Sequence, residues 1–185
     1  MLTINRGDRN SLLSSFDLTP AAPADAVAIA RIVNGAYRGE GTAAGWTSEV
    51  GILSGARADV GTISRMTEAG HVFVLRDEAG APTCCICLEA MEDATCYLSM
   101  IAVDPVHQGG GWGKKIIASA ERYVRVQGGR IGRMTVIVAR ESLIAWYLRQ
   151  GYEPTGKTEP FPYDDVSVGK PLRDDLHFIV LEKQL

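Results

Sequence analysis

At 185 residues, 46% hydrophobic and 22% charged, the chain has ordinary globular composition and enough length to bury a core within one domain. Its net charge of −3 argues against a general nucleic-acid binder, which carries a basic face. No run of about 18 apolar residues is present, so no membrane span or membrane partner is expected. The opening MLTINRGDRNSLLSSF lacks the apolar core and small-residue cleavage pattern of a signal peptide. A cytoplasmic location is therefore expected.

In chain order, residues 1–12 are polar and irregular and read as a flexible N-terminus, with one domain over 13–185. Ser14 to Thr19 reads as a short edge strand ended by Pro20. Pro23 to Arg38 is a helix, because Ala26, Val27, Ala30, Val33, Ala36 and Tyr37 recur at helical spacing. The glycine-rich stretch Gly39 to Gly45 breaks it. Trp46 to Gly55 and Asp59 to Ala69 read as further helical pieces. The period then changes to that of strands at His71 to Arg76, Pro82 to Met91 and Cys96 to Val103. Glu92-Asp93-Ala94 suits a tight hairpin between the last two.

Gly111 to about Gln127 is a helix with Trp112, Ile116, Ile117, Ala120, Tyr123 and Val124 inward, stopped by Gly128-Gly129. Met134 to Ala139 is apolar on both faces, as a central covered strand is. Glu141 to Gln150 is a short helix closed by Gly151. Tyr152 to Glu159 and Leu176 to Glu182 are the last strands, joined by a Pro- and Gly-containing loop over Pro160 to Asp174. This order predicts an α+β fold in which helices flank a mixed sheet. The four cysteines, Cys84, Cys85, Cys87 and Cys96, lack the turn-like spacing of metal ligands and sit in apolar strands. They read as buried small hydrophobes, and no metal site is found.

The chemistry concentrates in YLSMIAVDPVHQGGGWGKK, Tyr97 to Lys115. Lysines in the first turn of a helix oppose its dipole unless an anion sits there. The glycines would let backbone approach that anion, and the free N–H groups of the helix start would bind it. Gln108 to Lys114 therefore reads as a phosphate cradle. A Walker A loop fails, since Gln108 and Lys115 stand where glycine and Ser or Thr are needed. A dinucleotide fingerprint fails on the spacing of Gly109, Gly111 and Gly113. Q-x-x-G-x-G is met by Gln108, Gly111 and Gly113.

This turn resembles the acetyl-CoA pyrophosphate signature of the GNAT superfamily of N-acetyltransferases. A second segment, ESLIAWYLRQGY from Glu141 to Tyr152, is similar to that family's helix with a tyrosine one turn before a closing Gly-Phe/Tyr. The resemblance implies the GNAT fold, a mixed and mostly antiparallel sheet flanked by helices. It also implies an acetyl-CoA-dependent N-acetyltransferase acting on a primary amine of a small molecule, amino acid or peptide by direct attack.

Residue by residue, the resemblance implies that the main chain of Met100, Ile101, Ala102 and Val103 pairs with the pantetheine arm. Gln108, Gly109, Gly110, Gly111, Trp112, Gly113 and Lys114 would hold the pyrophosphate. Tyr147 matches the tyrosine that protonates the departing thiolate, against the plainer reading that its ring only packs. Such a reaction needs a neutral amine, a stabilised oxyanion and an acid for sulfur; a backbone N–H of the splayed strand can serve the second need.

Two positions depart from the family pattern. Some relatives carry a glutamate on the strand before the glycine turn, where this chain has Tyr97 and Ser99. Glu89, in the apolar context ICLEAM, is the candidate base instead, since burial would raise its pKa; a solvent-facing strand residue is the equal alternative. Arg140 replaces an asparagine of relatives and reads either as a CoA phosphate ligand or as a surface residue. On the acceptor side, Asp164 and Asp165 would attract a cation, whereas Arg38 and Arg57 would hold a carboxylate. The rival class is a non-catalytic CoA-binding or interaction protein on the same fold. Exposed C-terminal strands would permit a homodimer.

Overall fold

The computed structural model describes residues 18–39, 48–165 and 168–185. In chain order these form β1 (Thr19–Pro20), a 3₁₀ turn (Pro23–Asp25), α1 (Ala26–Arg38), β2 (Leu53–Ser54), α2 (Val60–Glu68), β3 (Val72–Arg76), β4 (Pro82–Ala90) and β5 (Thr95–Val103). A second 3₁₀ turn (Pro105–His107), α3 (Trp112–Val126), β6 (Ile131–Ile137), α4 (Glu141–Arg149), β7 (Glu153–Pro160), β8 (Lys170–Pro171) and β9 (His177–Gln184) follow. The main sheet runs β1-β3-β4-β5-β6-β9-β7, and β2 pairs with β8 in a small second sheet. Within the main sheet only the β5–β6 pair is parallel. The expected mixed, mostly antiparallel α+β architecture is thus present.

Period-2 alternation divides the apolar residues between two covered faces. Val72, Val74, Cys85 and Cys87 pack with α1 and Ile63 of α2. Phe73, Leu75, Cys84, Ile86 and Leu88 pack on the other side with Ile116, Ala120 and Tyr123 of α3 and Tyr147 of α4. All four cysteines are free and buried. Full burial of a Leu-, Ile- or Phe-sized side chain contributes roughly 1.5–3 kcal/mol, so two covered faces account for the stability of the sheet.

The helices begin and end as their sequences direct. Ile29, Ile32, Val33 and Ala36 carry the buried stripe of α1, and Gly39 ends it in the left-handed region at φ 69°. Asp59 caps α2 by accepting from Thr62 N at 2.9 Å.

The expected helix over Trp46 to Gly55 is corrected. Within its described part, residues 48–55, the chain makes a turn and then β2, which pairs Leu53 with Pro171 and Ser54 with Lys170. Gly51 and Gly55 both adopt positive φ, 82° and 83°, which interrupts any helix there. Trp46, the N-terminal residues 1–12 and most of the expected edge strand lie outside the described residues. The loop after β7 also differs from expectation, because it contains β8.

β5 carries a break in alternation. Cys96 and Leu98 face the α3 side, but so do Ile101 and Val103, while Met100 faces α1. One extra residue sits here, since the β4–β5 register shifts between Cys85 and Cys87 and Met100 adopts φ 51°. A left-handed non-glycine residue costs on the order of 1–3 kcal/mol. The bulge keeps apolar residues on the correct face before and after it and bends the strand.

Candidate active site

β5 and β6 pair only at Thr95–Ile131, Cys96–Gly132 and Tyr97–Arg133. Beyond that point each follows its other neighbour. β5 stays paired to β4 as far as Val103, and β6 stays paired to β9 as far as Ile137. The two strands therefore part in the middle of the sheet. A cavity of about 350 Å³ fills the gap, with Leu98 to Ile101 on one wall and Met134 to Ile137 on the other.

At the far end of β5 the chain turns through Asp104. This buried carboxylate accepts from Val106 N at 3.2 Å and from Arg31 at 2.6 Å, which fixes the turn. Gly109 and Gly111 follow at φ 86° and 77°, backbone conformations that residues with a side chain rarely adopt. Gly111 is the N-cap of α3, and the first main-chain bond reaching back to it is Lys115 N to Gly111 O at 3.0 Å. Among the described residues no acceptor meets the backbone N–H groups of 109–114. A ring of free N–H groups at a helix start fits a phosphate. Trp112 is half-buried against the core, with Lys115 Nζ 5.1 Å from its ring centroid and the His107 ring 6.1 Å away. Gln108 donates from Nε2 to Val103 O at 3.5 Å and ties the turn to the strand.

Tyr147 lies on α4 and lines the same cavity. It is buried, with its ring against Trp146 at 5.2 Å and Tyr152 at 6.0 Å. Burial, reinforced by neighbouring Tyr37, pushes its pKa well above the ordinary tyrosine value. Its hydroxyl therefore keeps its proton at any working pH.

Across the cavity stands Tyr37 of α1, which donates to Ile101 O at 3.1 Å. Burial raises its pKa to about 12, against the opposing pull of Arg57 and Arg140. Tyr97 shares a 2.6 Å hydrogen bond with Thr135, a bridge between the two parting strands.

Arg140 is not a surface residue. It is buried, its Nη1 donates to Glu49 Oε1 at 3.3 Å, and its Cζ lies 5.5 Å from the Tyr37 ring centroid. Glu49 in turn pairs with Arg38 through its other oxygen. Arg38 also donates to Gly55 O at 2.6 Å and Val168 O at 3.1 Å, so it braces the loops rather than facing a ligand.

Glu89 also needs correction. It is exposed at the end of β4 and is absent from the residues lining the Tyr147 cavity. Its side chain stays open to solvent, so the burial expected from its apolar neighbours does not occur. Asp164 and Asp165 line a separate surface depression with Phe161, Pro162 and Tyr163. Arg57, by contrast, does line the main cavity.

Glu49 and Glu159 of the cavity wall were not singled out from sequence. Glu49 carries no local signal, because its partner Arg140 is 91 residues away. Glu159 lies near the end of β7, a polar strand whose facing depends on nonlocal pairing with β9. Among the described residues no three His, Cys, Asp or Glu side chains cluster as metal ligands do, and no helix is long and apolar enough to cross a membrane.

Solved structures share this fold. The ribosomal-protein-alanine N-acetyltransferase of Brucella melitensis superposes with a TM-score of 0.65 at 21% identity, covering 91% of this chain and 99% of that one. YncA of Salmonella typhimurium, solved with its cofactor acetyl-CoA, gives 0.64 at 22%, covering 91% and 92%. Rv2747 of Mycobacterium tuberculosis, solved in complex with CoA, gives 0.61 at 16%, covering 91% and 98%. At such identities the likeness establishes the fold. No curated protein sequence matches the chain significantly. Residues 68–154 match the family model described as "Acetyltransferase (GNAT) domain". Residues 68–154 thus resemble a GNAT acetyltransferase domain, and the chain shares the fold of these acetyltransferase structures.

Proposed function

We propose that this protein is an acetyl-CoA-dependent N-acetyltransferase that acts on a primary amine of a small molecule, amino acid or peptide. One observation carries this reading. The glycine turn with its free N–H groups ends the same strand whose parting from β6 opens the cavity that Tyr147 lines.

Acetyl-CoA supplies an activated acetyl carbon. The backbone N–H groups of Gly109 to Lys114 would bind its pyrophosphate, and the free edge of β5 at Met100 to Val103 would pair with its pantetheine arm. Tyr147 holds a proton in a buried site and delivers it to the leaving sulfur. The amine must lose a proton before attack, since a lysine-like amine is charged at neutral pH. Glu159, exposed and on the cavity wall, is better placed than Glu89 to accept it, directly or through water.

Thermal unfolding with and without acetyl-CoA tests the first half, because a ligand of the folded state raises the melting temperature. No rise at millimolar acetyl-CoA sinks the proposal. Release of free CoA with a panel of amines tests the second half. Binding without turnover on any amine would favour the non-catalytic CoA-binding reading.

A further inference from the structure

Around Tyr37 the cavity wall carries two arginines, Arg57 and Arg140, and one carboxylate, Glu49. Arg57 and Arg140 each lie with Cζ 5.5 Å from the centroid of the same ring, Tyr37. Within this group one carboxylate, Glu49, serves Arg38 and Arg140 together. Two guanidinium groups on one buried glutamate leave a net positive charge, and Arg57 adds another. Among the described residues Arg57 has no carboxylate within ion-pair distance. Arg140 Nη2 is buried and has no hydrogen-bond partner. A buried unpaired donor on a charged group costs more than a made bond returns, so such a group is expected to meet an acceptor in use. The acidic pair Asp164 and Asp165 does not line this cavity and does not offset the charge.

We infer that the acceptor is an amine that also carries a carboxylate, and that Arg57 and Arg140, both against the Tyr37 ring, form its carboxylate subsite. The inference rests on the N-acetyltransferase reading and narrows its substrate class. A guanidinium binds a planar carboxylate through two parallel hydrogen bonds, which sets orientation as well as affinity. Arg57 is the primary anchor, because Arg140 already gives one nitrogen to Glu49.

The test uses paired probes on the full chain: the twenty L-amino acids, their primary amides and their decarboxylated amines. Turnover is read as kcat/KM with acetyl-CoA. Binding is read by calorimetry with CoA present, where no acetyl group can transfer. The expected result is a preference of about tenfold or more for at least one carboxylate probe over its amide, in both readouts. Arg57→Gln should reduce that ratio by about tenfold, while Arg57→Lys, which keeps charge but not the fork, should retain part of it. The melting-temperature rise with acetyl-CoA checks that each variant folds. Equal use or equal binding of acids and amides overturns the inference and leaves the acetyltransferase reading standing. Failure of that reading appears separately, as carboxylate-selective binding with no turnover of any probe.

Discussion

The sites proposed for donor and acceptor are built from different materials. The proposed donor site consists of backbone: an edge of β5, a bulge at Met100 and N–H groups at Gly109 to Lys114. The proposed acceptor site and its support consist of side chains from distant elements, with Tyr37 and Arg38 of α1, Glu49 of the following loop and Arg140 before α4. Backbone recognition needs only the correct turn and tolerates changes of side chain. Side-chain recognition depends on each partner being present and buried together. The first kind suits a constant ligand, and the second can be altered by single substitutions.

That contrast is broken hardest at Glu49. Glu49→Ala leaves the buried Arg38 and Arg140 without a countercharge, and losing one partner of a buried ion pair costs about 3–5 kcal/mol. Urea unfolding should show a midpoint shift of that size. The loss should fall far less on the glycine turn, read by the melting-temperature rise that acetyl-CoA produces in the variant that remains folded.

Next in size, Tyr147→Phe removes the acid and should lower kcat by about 100-fold, with little change in CoA affinity. A large loss of affinity alone would make Tyr147 a binding residue. The pH dependence gives a second reading. Burial raises the Tyr147 pKa, so the neutral, proton-bearing form persists as pH rises. The kcat profile should therefore show no alkaline decline from this group below about pH 10, the ordinary tyrosine value. A decline near pH 9 that disappears in Tyr147→Phe would refute the buried acid.

Gly111→Val probes the proposed donor site. A β-branched residue at φ 77° is strained by roughly 1–2 kcal/mol, and its side chain enters the open space beside the turn where the phosphates would lie. Acetyl-CoA affinity should fall by about tenfold, measured by calorimetry, with a smaller change in KM for the amine. The smallest effect is expected at Glu89→Gln, exposed and off the cavity wall: under about 0.5 kcal/mol in stability and under about twofold in kcat. A tenfold loss of kcat there would return Glu89 to the proton-transfer path.

The proposed donor site was legible in the sequence because it is local. The cradle, the strand before it and the tyrosine helix are contiguous segments whose glycines and apolar periods carry their own signal. Even the bulge leaves a trace, since Cys96 and Leu98 alternate with one parity and Ile101 and Val103 with the other. The proposed acceptor site was not legible because its contacts are nonlocal. Nothing near Arg140 announces Glu49, and nothing near Leu53 announces Pro171. Glu89 misled for a related reason. Apolar neighbours in sequence imply burial only where other elements pack over the residue, and Glu89 stays open to solvent.

The cysteine-rich pair β4 and β5 has a practical consequence. Burial pushes Cys84 and Cys96 up to about 11, Cys87 to about 12 and Cys85 higher still. The thiolate is the reactive form, so at pH 8 only about a thousandth or less of any of these thiols can react. Native protein is therefore silent to a thiol reagent. A colorimetric assay of released CoA carries no background from the folded enzyme, and the appearance of four titratable thiols reports the opening of the central sheet.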